Sequence, residues 1–89
     1  MKAVLTVIGK DKVGIIAEVS RILADNNINI LDITQTIMQE IFTMIMMVDI
    51  SKSTIDFSAL SEALDKKGKE MNLTIRIQRT DIFNSMHRI

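Results

Sequence analysis

The residues with the most chemical promise are Asp11-Lys12-Val13-Gly14-Ile15, which follow an apolar run and open a stretch of helical periodicity. The first turn of a helix leaves N–H groups without intrahelical partners and carries a positive partial charge, so it receives carboxylates well. A carboxylate beside it, here Asp11, suits an ammonium. Together the two halves fit a zwitterion. Each residue also has a plainer reading. Asp11 is a good helix cap, Gly14 allows close helix–strand packing, and Asn29 is a common turn residue.

Other chemistries find little material. The chain has no cysteine and a single histidine, His87. That excludes disulfides, Cys-ligated metal and a His cluster. No Ser/His/Asp set, Cys/His set or phosphate loop is present, so no enzyme activity and no cofactor are expected. Eleven basic residues balance eleven acidic ones, and Phe42, Phe57 and Phe83 are the only aromatics. A nucleic-acid binder needs a basic face and stacking platforms, and this composition supplies neither. No apolar run approaches the ~20 residues of a membrane span. The strand-like run from Val4 leaves no room for a signal peptide, so a cytoplasmic protein is expected.

Elements must hold these residues in place. Ala3–Ile8 is apolar on both faces and ends at Gly9, as a central strand would. Ile15, Ile16, Val19, Ile22 and Leu23 follow helical spacing, with Asp11 as the expected cap and Asn26-Asn27 as the stop. Residues 28–39 form a wetter strand, expected at a sheet edge, with Gln39-Glu40 as its turn. The run 41–50 places Phe42, Met44, Met46 and Val48 on one face, where the methionines fill core. Asp56 caps a second helix whose stripe is Phe57, Leu60, Leu64 and Met71, with Ile55 and Leu60 at the spacing of a hydrophobic staple. Residues 73–80 alternate cleanly as an antiparallel strand. Asp81 then caps a short last helix carrying Ile82, Phe83, Met86 and Ile89. The order β-α-β-β-α-β is the ferredoxin-like α+β unit, with a four-stranded antiparallel sheet in order 4-1-3-2 and two helices on one face.

On that topology, Asp11-Lys12-Val13-Gly14-Ile15-Ile16 and Asn27-Ile28-Asn29-Ile30 resemble the two markers of ACT domains, free-standing ones in particular. The resemblance covers residues 1–80, with 81–89 as a helical tail of the same domain. It implies a regulatory module that pairs with itself and binds an amino acid at the interface. Residue by residue, it implies that Asp11 meets the ligand's amino group. The N–H groups around Lys12, Val13, Gly14 and Ile15 meet its carboxylate, and Asn29 comes from the partner subunit. Val13 stands where the family has proline, which leaves the loop less rigid.

A domain of this size is marginally stable alone and often gains burial by oligomerisation. A homodimer or higher homo-oligomer is therefore expected, through the edge carrying Thr34, Gln35 and Thr36. A protein partner acted on by this module is also expected. The alternative is a structural or partner-binding dimer with no small ligand.

Overall fold

The computed structural model describes residues 1–80. Its elements are β1 (Lys2–Lys10), α1 (Ile15–Asp25), β2 (Asn29–Met38), β3 (Ile41–Asp49), α2 (Phe57–Met71) and β4 (Leu73–Arg79). All pairings are antiparallel and the sheet order is β2-β3-β1-β4, the expected 4-1-3-2. The most apolar strands, β1 and β3, hold the centre. The short helix expected from Asp81 onward lies outside the described residues.

Register explains the core. Leu5 sits opposite Met46 on one side and Ile77 on the other, and Val7 opposite Met44 and Ile75. These side chains share the helix-covered face with Phe42 and Val48, under Ile15, Val19 and Leu23 of α1 and Leu60 and Leu64 of α2. Helix α2 starts as its sequence dictates. Asp56 accepts from the Ala59 N–H at 2.8 Å, and Ile55 packs against the core as the outer half of the staple. It ends at Asn72 in the left-handed region, φ 59°.

The end of β1 differs from expectation. β1 runs through Gly9 to Lys10, because the glycine makes room for Leu73 on β4. A Cβ at position 9 would lie 2.4 Å from Leu73 Cδ2. A sequence reads glycine as an end only until a neighbouring strand needs that space. The hairpin turn is Gln39-Glu40 as expected, without glycine, and Gln39 itself adopts φ 60°.

Gly68 lets α2 approach β4. A Cβ there would lie 2.7 Å from the Leu73 carbonyl oxygen and 3.2 Å from Ile75 Cγ1. Alanine gains about 1 kcal/mol in helix propensity, but overpacking against backbone costs about 1–3 kcal/mol. Gly68→Ala is expected to lower the melting temperature. An equal or higher value would show that the helix shifts freely on the sheet.

Candidate functional site

The loop between β1 and α1 is fastened at two points. The Asp11 N–H donates to the Glu40 carbonyl at 2.8 Å, tying the loop to the β2–β3 turn. Lys12 Nζ donates to the Met71 carbonyl in the last turn of α2, where a cation complements the helix dipole. The Lys12 ammonium thus secures the loop's outer side. Val13 is fully exposed, and Ile15 is buried in the core, so Ile15 offers a ligand only its backbone.

The helix cap is Gly14, not Asp11. Gly14 takes φ 94° and ψ −1°, and no side chain caps the helix. With the Asp11 N–H held by Glu40 and the left-handed glycine starting α1 directly, the Asp11 carboxylate stands outside the helix, exposed. Close packing does not explain the glycine either, since nothing lies within 4 Å of a Cβ at position 14. Its conformation explains it. The N–H groups of Val13 and Gly14 have no backbone acceptor among the described residues. An exposed carboxylate and a helix start therefore lie within four residues of each other.

Asn29 is elsewhere. It begins β2, opposite Asp49, whereas the Gly14 loop adjoins the other end, where Met38 pairs with Ile41 and Ile41 with Lys10. The nine residue steps from Asn29 to Met38 span about 30 Å. One chain does not bring Asn29 to the loop. A cleft of about 420 Å³ opens beside Asn29, lined also by Asn27, Asp49, Ser51 and Lys52. Asp49 accepts from the Ser51 hydroxyl at 2.6 Å and the Ser51 N–H at 2.9 Å. These bonds, the hydroxyl first, hold its carboxyl below the ordinary carboxylate value. The cleft was not foreseen from sequence, because Asp49-Ile-Ser51 reads as an ordinary strand end.

The β2 edge is open. Every residue from Leu31 to Met38 is exposed. Ile33 and Ile37 lie on the helix side of the sheet, opposite Met46 and Phe42, yet are 42% and 54% exposed. Ile16 at the start of α1 is exposed on the same side. Among the described residues no group of three or more His, Cys, Asp or Glu could hold a metal ion, and no helix is long and apolar enough to cross a membrane.

Comparison with known proteins agrees with the fold. A family model described as "ACT domain" matches residues 2–78. A UPF0237 protein of Clostridium acetobutylicum is 62% identical over 89 residues, the full length of both chains. Among solved structures, an ACT domain protein from Streptococcus pneumoniae is 44% identical, with TM-score 0.81 over 93% of each chain. The regulatory subunit of aspartate kinase from Thermus thermophilus shares the fold at 24% identity and TM-score 0.66, over 86% of this chain and 50% of that one.

The two aspartates give a direct test of the cap assignment. Asp56→Ala is expected to cost about 1 kcal/mol, a fall of roughly 4–8 °C in melting temperature. Asp11→Ala is expected to stay within about 0.5 kcal/mol of the parent chain. Equal losses in thermal denaturation would return Asp11 to a capping role.

Proposed function

This chain belongs to the ACT domain family, and on that basis we propose that it is a cytoplasmic regulatory module, not an enzyme. It binds a small amino acid or similar zwitterion at a homodimer interface and modulates a partner protein. The observation that carries this reading is the position of the Gly14 loop and Asn29 at opposite ends of a strand with one open edge. If β2 pairs antiparallel with its copy about a two-fold axis near Thr34, Asn29 of one chain comes beside Met38 of the other, next to that chain's Gly14 loop. The same pairing covers Ile33, Ile37 and Ile16, which one chain leaves exposed. Edge strands with exposed apolar residues are templates for such pairing.

In the assembled site the ligand carboxylate faces the N–H groups of Val13, Gly14 and Ile15. Its ammonium lies between Asp11 and the partner's Asn29. Lys12 acts through the loop it fastens. The bonds from Asp11 and Lys12 to neighbouring elements offset the absence of proline at position 13, because a loop already held loses less freedom on binding. The aspartate kinase subunit is regulatory by its name, and its fold supports the same class of role here.

Calorimetry against the amino acids tests this. The parent chain is expected to bind at least one. Gly14→Val is expected to abolish binding, since a β-branched residue cannot take φ 94° without strain and would fill the approach to the backbone. Asn29→Ala is expected to weaken binding roughly ten- to a hundredfold, the loss of one hydrogen bond to a charged group. Thr34→Pro on the edge is expected to give a monomer by light scattering. If no amino acid binds at millimolar concentration while Thr34→Pro still dissociates the dimer, the module is a partner-binding dimer without a small ligand.

A further inference from the structure

The cleft beside Asn29 has walls that the chain itself holds in place. Asn27, left-handed at φ 60°, donates from Nδ2 to the Lys52 carbonyl at 3.0 Å, and the Thr54 N–H donates to the Asn26 carbonyl at 3.0 Å. The loop after β3 is thereby pinned to the turn before β2. The two charges that border the cleft are not equally available. Asp49 accepts both Ser51 bonds and lies 3.6 Å from the Met1 ammonium, so its charge is answered within the chain. The Lys52 ammonium pairs with no carboxylate among the described residues, and the Asn29 side-chain amide has no hydrogen-bond partner there. The cleft offers an open cation and an open amide on a fixed frame. A few convergent polar groups of this kind decide which ligand a cleft accepts.

We propose that the side chain of the bound amino acid enters this cleft and carries a carboxylate, so that the ligand is an acidic amino acid read by Lys52. The proposal rests on the shared site described above, in which Asn29 stands beside the ligand's ammonium. Asn29 is suited to a double part, because a side-chain amide has an acceptor oxygen and a donor nitrogen. Its oxygen accepts from the ligand's ammonium, and its nitrogen donates to the carboxylate that Lys52 holds. Charge balances in the same way. The helix start takes the ligand's backbone carboxylate and Asp11 takes its ammonium. That leaves one cation, Lys52, for one further anion. An uncharged side chain gains nothing from Lys52. A cationic one meets it as a like charge, while the Asp49 carboxylate that could attract a cation is already occupied.

Calorimetry on the full chain tests the proposal by comparing aspartate and glutamate with asparagine and glutamine, which keep the size and replace the carboxylate by an amide. At least one acid is expected to bind roughly ten- to a hundredfold more tightly than its amide, as one hydrogen bond to a charged group would give. Added salt is expected to narrow the difference. Lys52→Gln, at an exposed position, is expected to bring the acid down to the level of its amide and to leave the affinity for the amide unchanged. Lys52→Arg, which keeps the charge, is expected to retain the preference. Amides that bind as tightly as the acids, or a preference that survives in Lys52→Gln, would overturn the proposal. The shared site would still stand if Gly14→Val abolished that binding. Acid binding that needs Lys52 but persists in Gly14→Val would remove the shared site and this proposal with it, as would the absence of binding by any amino acid.

Discussion

Much of this molecule follows from one imbalance in how its sheet is used. β1, β3 and β4 send alternate side chains into the core, but β2 sends almost none. After Ile28 and Ile30 anchor its start, its residues are exposed on both faces and along one edge. β2 is held mainly by its pairing with β3. A strand in that state presents unpaired N–H and C=O groups beside exposed isoleucines, and the economical way to satisfy both is another strand. The same strand separates the two candidate half-sites by its own length. The feature that leaves the single chain incompletely buried is therefore the feature that can complete a site.

The loop before α1 shows how a short segment is shaped without proline. Gly14 supplies a conformation that other residues reach only with strain, and it directs the chain into the helix. The backbone bond from Asp11 to Glu40 and the Lys12 contact with Met71 hold the approach from opposite sides. Because Glu40 belongs to the β2–β3 turn, the loop and the far end of β2 are mechanically joined.

The fold was readable because its signals are local or periodic. The alternation of Phe42, Met44, Met46 and Val48 names a core face, and Asp56 with Ile55 and Leu60 names a helix start. What escaped depends on neighbours distant in sequence. Gly9 looks like a strand end until Leu73 is seen beside it. Asp11 looks like a cap until its backbone is found engaged by Glu40. The candidate site was readable by residue type. The division of the candidate site between two chains came only from the family resemblance, which assigned Asn29 to the partner subunit. Nothing local in Asn29 tells that it lies a full strand away from Gly14. The cleft bordered by Asp49 and Lys52 was invisible for the same reason.

The central claim is that each ligand site takes Gly14 from one chain and Asn29 from the other. Mixing Gly14→Val with Asn29→Ala, after unfolding and refolding together, tests it by calorimetry. Random pairing makes half of the dimers mixed, and each mixed dimer unites an unaltered Gly14 with an unaltered Asn29 at one of its two sites. Binding at parental affinity is therefore predicted to return in about a quarter of the sites, although neither variant alone shows it. A mixture that binds no better than its two components would contradict the shared site.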